Sequence, residues 1–385
     1  MTIYFVAGEV SGDNHGAALI SSLQKQEVDL ARAAPSGGGL NFIGRGGPQM
    51  RARAGARFKD WLDQAAVLGL WEVIKKYGYF REQFRQALRE IAEAKPDAVV
   101  LIDYPGFNLR LARTLRRKFP VQKLIYYISP QVWAWNRGRI AQMARYLDLM
   151  LCIFPFEAEL YNNSGLRTKF VGHPMIDRLR LPQLNIERDP NLVGLFPGSR
   201  GREVRKIWPI MMETAEDLRC SKPNLRFEVA AASQQLAEEI REMTNDSPVF
   251  NVLIGDASSL MQRAFAGILA SGSATLEAAY FGLPFVLVYK VAWPTYLAAR
   301  MVVQVKHLGM PNVLADEEIV PEFIQHQAKP AAITQAVMRL LDDAATRQKM
   351  ISAFDSVRVK LGSGGASDRA AKAILEELGA AGRSC

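Results

Sequence analysis

Cysteine and histidine are scarce in this chain. Only Cys152, Cys220 and Cys385 occur among 385 residues, with His15, His173, His307 and His326. None of them stands at a metal-ligand or redox spacing, and an odd cysteine count argues against a disulfide framework, so a reduced, cytoplasmic setting is expected. The sequence has no HExxH, no GxSxG elbow, no GxxxxGK[ST] and no GxGxxG after its first apolar run. Zinc protease, serine hydrolase, P-loop ATPase and dinucleotide dehydrogenase thereby lose their usual signals. Asp-x-Asp, a pair that holds a divalent metal in many sugar-nucleotide transferases, is also missing. No apolar run reaches the roughly 18–20 residues that span a bilayer. The opening MTIYFVAGEVSGD carries no basic leader, so a signal peptide is not expected.

What is present is ordinary for a globular protein: 49% hydrophobic and 23% charged residues, long enough for two domains. Lys and Arg number 48 against 39 acidic residues, a formal charge of 48 − 39 = +9. That excess suits an anionic partner: nucleic acid, phospholipid or a phosphorylated substrate.

Short apolar runs alternate with helical patterns. Ile3–Ala7 ends at the cluster Gly8-Glu9-Val10-Ser11-Gly12-Asp13, with a helix expected from Asn14 to Lys25. Asn41–Gly44, Ala98–Ile102, Leu124–Ile128 and Leu149–Ile153 read as further strands. Unbroken apolar strands between helices point to a parallel sheet buried on both faces. Leu181–Asn191, with two prolines and little periodicity, reads as a linker. The pattern then restarts with Val193–Phe196, Arg226–Ala230, Val249–Ile254, Ala266–Leu269 and Pro284–Val288. The expected domains are 1–185, 186–361 and a C-terminal piece, 362–385. Its helix, Ser367–Leu378, packs either on one of the halves or on a partner chain.

The second half has two Gly/Ser-rich turns between strand and helix. Pro197-Gly198-Ser199-Arg200 adds a guanidinium suited to bidentate phosphate contact. Ser271-Gly272-Ser273-Ala274-Thr275 offers small residues at a helix start, where free N–H groups and the dipole favour anions. Glu277 follows in the first turn, placed to accept the hydroxyls of a ribose. Plain helix capping by Ser271 or Ser273, with Glu277 complementing the dipole, explains the same residues, and both readings stand open on the residues alone. In the first half Asp103 follows an apolar strand directly, a position suited to a general base but also to a turn Asp. Glu9, Ser11 and Asp13 pose the same choice.

Val67–Phe80 (VLGLWEVIKKYGYF) mixes aliphatic, aromatic and lysine residues as a membrane-interface segment does, though a core-packing helix has the same composition. Trp133–Arg139 (WAWNRGR) is aromatic and basic. With no nucleic-acid-binding motif beside it, a cleft-lining role is expected and nucleic acid is not.

Taken in order, Gly8–Asp13, Ile102–Asn108 (IDYPGFN), Ser129–Trp135 (SPQVWAW), Pro155–Glu157, Val171–Pro174 (VGHP), Pro197–Val204 (PGSRGREV), Ser271–Ala278 (SGSATLEA) and Gly309–Asn312 (GMPN) resemble the lipid-A-disaccharide synthase family, from Met1 to about Gln325. The resemblance implies a GT-B glycosyltransferase: an α/β protein of two Rossmann-like domains facing across a cleft. It implies inverting transfer, without metal or cofactor, of 2,3-diacylglucosamine from UDP to the 6-hydroxyl of 2,3-diacylglucosamine 1-phosphate (lipid X). The products are the β-1,6-linked lipid A disaccharide 1-phosphate of Gram-negative bacteria and UDP. An alternative on the same fold is a UDP-N-acetylglucosamine 2-epimerase or another UDP-N-acetylglucosamine transferase.

Carried over by motif, Asp103 is the candidate base and Arg200 the phosphate-contacting arginine. Gly198, Ser199, Gly272, Ser273, Ala274, Thr275, Glu277 and Asn312 join Arg200 as the donor site. Glu9, Ser11, Gly12, Asp13, Ser129 and Trp133 line the acceptor side. Acylated substrates imply a protein resting on the inner-membrane surface, with Leu68, Leu70, Trp71, Ile74, Lys75 and Lys76 as membrane contacts. A homodimer is also implied, with C-terminal segments exchanged after Gly365. Two positions depart from the family. Gly106 stands where Asp is common and cannot share catalysis, and Val10 replaces the usual Ala.

Overall fold

The computed structural model describes residues 1–33, 39–62, 77–179 and 187–381. The segment holding Leu68, Leu70, Trp71, Ile74, Lys75 and Lys76 lies outside the described residues. Contacts divide the chain into two compact units, Met1–Asp177 with Ser363–Cys385, and Arg178–Gly362. This division precedes the expected 185/186 boundary.

The first unit is built on a seven-stranded sheet in the order β3-β2-β1-β4-β5-β6-β7, all parallel. The strands are β1 Thr2–Ala7, β2 Asn41–Gly46, β3 Phe58–Asp60, β4 Ala98–Ile102, β5 Lys123–Tyr127, β6 Leu149–Cys152 and β7 Thr168–Phe170. Central β4 (AVVLI) is buried at every position, as a strand covered on both faces must be. Ile3, Phe5, Val100, Ile102 and Ile125 share one core cluster with Leu19, Ile20 and Leu23 of the helix Val10–Ala33.

The last helix, Ala366–Ala381, completes that same core through Ala370, Ala371, Ile374 and Leu378. The Asp177 carboxylate accepts from the Gly365 and Ala366 backbone N–H groups at its start, at 2.5 and 3.1 Å. Near its end Glu377 pairs with Lys123 (2.9 Å) and Arg167. Apolar burial at about 25 cal/mol per Å² does most of the holding, and the charges fix the register.

The second unit carries a six-stranded parallel sheet, β10-β9-β8-β11-β12-β13. Its strands are β8 Asp189–Phe196, β9 Arg226–Ala231, β10 Phe250–Ile254, β11 Ala264–Ala270, β12 Phe285–Tyr289 and β13 Glu322–Ile324. The half-buried Arg188 guanidinium donates to the Met261, Ala264 and Phe281 carbonyls at 2.6–2.7 Å, fastening the start of β8 inside this unit.

Each sheet reverses its strand order once, between β1 and β4 and between β8 and β11. In open α/β sheets ligands bind outside the carboxyl ends of the strands at such a switch point. Both switch points fall on the motifs that the sequence singles out.

Candidate active site

At the first switch point β1 and β4 run in register, Ala7 beside Ile102, so Gly8 and Asp103 leave the sheet side by side. The helix after β1 begins at Val10, earlier than the expected Asn14, which places Ser11, Gly12 and Asp13 in its first turn. Glu9 and Ser11 are exposed there, and Gly12 is buried against Ala7 and Ile102. Asp13 is 1% exposed, and its carboxylate accepts from the backbone N–H groups of Gly47, Gln49 and Met50, each at 2.9 Å. It caps the helix Pro48–Ala54 from across the sheet, so its charge serves that helix's N-terminus.

Asp103 and Tyr104 both lie in the left-handed region, with φ of 45° and 50°. Consecutive non-glycine residues there cost on the order of 1–3 kcal/mol each unless the surroundings hold them. Three bonds do so. Asp103 N–H donates to the Tyr127 carbonyl (3.0 Å), and the Asp103 carbonyl accepts from Asn108 Nδ2 (2.8 Å) and the Tyr126 hydroxyl (2.5 Å). Asn108, fully buried, also donates to the Ile102 carbonyl at 3.1 Å. The Tyr104 ring lies over Gly8 so closely that any Cβ there would collide with it. Trp61 underlies this corner, its indole N–H donating to the Ala7 carbonyl (2.7 Å) and its ring packing on Tyr104 and Phe107.

Burial, and then the nearby Glu9 charge, push the Asp103 carboxyl up to about 6. A carboxyl so tuned is ionised at neutral pH yet keeps the proton affinity that general-base work requires. Gly106, one turn away, has open space around it, with nothing within 4 Å of where a Cβ would stand.

Asn108→Ala is expected to cost about 1–3 kcal/mol, since it strands buried carbonyls. It also frees the strained turn. Denaturation midpoints and turnover measured together check this, and a stable variant with normal turnover would show that the turn holds without Asn108.

Ser129 and Trp133, expected to line a cleft, direct their polar atoms inward. Ser129 Oγ donates to Glu157 Oε2 (2.6 Å) and Trp133 Nε1 to Glu157 Oε1 (2.8 Å). Burial raises the Glu157 carboxyl to about 7 despite these bonds. The exposed aromatic of this segment is Trp135, with the Arg139 guanidinium 4.7 Å from its ring centre.

At the second switch point β8 and β11 are paired, Phe196 beside Leu269. The turns at Pro197 and Ser271 therefore emerge together, and a Cβ on Gly198 would stand 3.6 Å from Ala270. Gly198 and Gly272 take φ of 108° and 155°, values that L side chains rarely adopt. These turns open the helices Gly201–Ser221 and Ala274–Phe281, where Glu203 N–H already donates to the Arg200 carbonyl (2.8 Å), and Thr275 and Leu276 N–H to the Gly272 (3.2 Å) and Ser273 (3.1 Å) carbonyls. Ser273 makes no side-chain cap, and the buried Thr275 hydroxyl bonds the Gly272 carbonyl at 2.7 Å. Ser199, Gly272 and Ser273 are exposed at the strand ends, with Ala274 half-buried behind them.

The Arg200 side chain is 70% exposed and pairs with Glu203 at 3.1 Å. An exposed i,i+3 pair is worth little, so this guanidinium swings readily to a stronger anion. Tyr289, at the end of β12, senses both: burial and the Glu203 charge raise its hydroxyl pKa while Arg200 opposes them. Burial raises the Glu277 carboxyl above the usual range, and Arg178, bonded to its Oε1, pulls it back.

Asn312, carried over as a donor-site residue, is fully buried with its amide entirely used. Nδ2 donates to the Val320 carbonyl and Glu322 Oε1, and Oδ1 accepts from Ile319 and Val320 N–H, all at 2.8–2.9 Å. It braces the loop before β13. Among the described residues, no group of three His, Cys, Asp or Glu side chains is gathered as metal ligands.

A model of the lipid-A-disaccharide synthetase family matches residues 3–375. The chain belongs to that family. It is 39% identical to the lipid-A-disaccharide synthase of Geobacter sulfurreducens over 98% of this chain and 97% of the relative. The Myxococcus xanthus lipid-A-disaccharide synthase is 35% identical at the same coverage. Membership places the chain among the glycosyltransferases of lipid A synthesis. Solved structures share its GT-B fold. One is a putative UDP-N-acetylglucosamine 2-epimerase from Listeria monocytogenes, with TM-score 0.63, 13% identity and coverage of 98% and 97% of the two chains. Another is a calicheamicin glycosyltransferase, with TM-score 0.55, 16% identity and 98% coverage of both. At such identities the likeness is one of fold alone.

Proposed function

We propose that the chain joins UDP-2,3-diacylglucosamine to 2,3-diacylglucosamine 1-phosphate by inverting transfer. The observation that carries this reading is Asp103: a carboxylate at a switch point, in a braced left-handed turn, with its pKa raised to about 6. It takes the proton from the acceptor 6-hydroxyl as that oxygen attacks the anomeric carbon. The carbon–phosphate oxygen bond breaks on the opposite side, which inverts the centre, and UDP leaves. Arg200 and the N-termini of the helices Gly201–Ser221 and Ala274–Phe281 meet the charge that develops on the diphosphate. Glu277 accepts the ribose hydroxyls. Gly198, Ser199, Gly272, Ser273, Ala274 and Thr275 let the diphosphate approach the backbone. Neither metal nor cofactor is assigned a step.

Acylated substrates reside in a bilayer, so the protein works at the cytoplasmic face of the inner membrane. Among the described residues, no helix is long and apolar enough to cross a membrane. A homodimer belongs to the same reading. Since the last helix packs on its own first unit, an exchange between copies would repeat those contacts in trans.

UDP-2,3-diacylglucosamine and UDP-N-acetylglucosamine should behave very differently as donors. UDP release is expected from the acylated donor with lipid X in detergent, and little from UDP-N-acetylglucosamine with the same acceptor. Equal rates, or interconversion of the UDP sugar without an acceptor, would favour the epimerase-like alternative.

A further inference from the structure

Large apolar side chains are unusually exposed on one element of the second unit. In the helix Trp293–Val302 and the residue after it, Trp293 is 59% exposed, Leu297 55%, Met301 81%, Val302 49% and Val303 43%. Trp293, Leu297 and Met301 recur every four residues, forming one stripe along the helix, and Tyr296 meets Trp293 edge-on with ring centres 5.7 Å apart. A soluble surface scatters exposed apolar residues singly, so a stripe of them marks a contact.

The charges carried by this stretch itself have one sign, while Glu322 of β13 accepts from its Leu308 and Gly309 N–H groups at 2.9 and 2.8 Å. From Lys290 to Ala315 the sequence contains Lys290, Arg300, Lys306 and His307 and no acidic residue. Arg300 and Lys306 are exposed. An apolar stripe led by Trp and flanked by Arg and Lys is what a helix lying in a bilayer interface presents: the aliphatic side chains enter the acyl boundary and the cations meet anionic head groups. The helix has ten residues, far too few to span a bilayer.

We propose that Trp293–Val303, with Arg300 and Lys306, is an anionic-lipid docking surface on the UDP-sugar-binding unit. It deepens the reading given above, resting on it for the need to reach a bilayer, and places a lipid contact on a different unit from the Val67–Phe80 segment. Charge complementarity favours lipid over a second copy of the chain, because a self-complementary contact here would bring Arg300 and Lys306 against their own kind.

Co-sedimentation with vesicles, without substrates, tests the surface separately from the chemistry. The full chain should pellet with phosphatidylcholine vesicles containing about 30% phosphatidylglycerol, and much less with phosphatidylcholine alone or at about 0.5 M salt. Leu297→Ser with Met301→Ser should weaken binding about tenfold, and Arg300→Glu with Lys306→Glu should remove the dependence on anionic lipid. Both double variants should keep wild-type turnover on detergent-dispersed substrates, which leaves the functional reading standing whichever way the vesicle result falls. Unchanged binding of both variants, or absence of binding by the wild type, would overturn the proposal. So would a change of oligomeric state in Leu297→Ser with Met301→Ser, which would make the stripe a contact between copies.

Discussion

Asp103→Ala is expected to reduce disaccharide formation about a thousandfold while the protein stays folded, within the range that a positioned general base contributes. The substitution removes the carboxyl proposed to take the proton, together with the bond it accepts from the Tyr104 backbone N–H. The turn is held by the Asp103 main chain, through Asn108, Tyr126 and Tyr127, and an alanine leaves those bonds in place. The pH profile gives a second handle. Asp103 acts as a base only when ionised, so kcat/KM should fall on the acid side with an apparent pKa near 6. Removing the Glu9 charge by Glu9→Gln should move that limb to lower pH. It should not reach the range of an ordinary aspartate, because burial is the larger cause.

Stability should move the other way. The folded-state pKa lies above the usual 3.8, so the folded protein holds this proton more tightly than the unfolded chain. Asp103 therefore favours folding below its unfolded pKa and loses that contribution as pH rises toward 6. Asp103→Asn, inactive, should be somewhat more stable than wild type at neutral pH. A variant at Asp103 with near-normal turnover, or an acid limb that Glu9→Gln leaves in place, would remove the base from this position.

Arg200→Ala is the second large effect, expected to cost about 10²–10³ in kcat, the scale seen when one preorganised donor to developing charge is removed. Folding should be untouched, since the side chain is exposed and its pair with Glu203 is worth at most about 1 kcal/mol. Arg200→Lys should fall between the two, keeping the charge but losing the fork that grips two phosphate oxygens at once. If Arg200→Ala instead raises only the donor KM, the guanidinium binds ground state and transition state equally and is no leaving-group stabiliser.

The apolar strands were legible because a parallel sheet covered on both faces needs unbroken apolar runs: Ala98–Ile102 is β4 without a residue's error. Edge strands β3, β7 and β13 are three residues each, none of them fully buried along its length, and too short for a pattern. The strand-end motifs reached both switch points for the same reason that strands are readable: glycines and small polar residues must follow them where helices begin.

What sequence could not separate was the direction of each side chain. Asp13, Asn312, Ser129 and Trp133 share motifs with exposed residues such as Glu9 and Trp135, yet spend their hydrogen bonds inside the fold. Glu157 stood only as one letter of Pro155–Glu157, and the partners that give it meaning, Ser129 and Trp133, lie more than twenty residues away. Nothing local to Tyr104 or Trp61 shows that the Tyr104 ring covers Gly8 or that the Trp61 ring packs against it.

The most direct test of the proposed reaction is mass spectrometry of the products formed by the purified protein from UDP-2,3-diacylglucosamine and 2,3-diacylglucosamine 1-phosphate. The expected result is a tetraacyl disaccharide 1-phosphate with a β-1,6 linkage, and one UDP per disaccharide. Free diacylglucosamine, an epimerised UDP sugar, an α linkage or no consumption of the acceptor would contradict it.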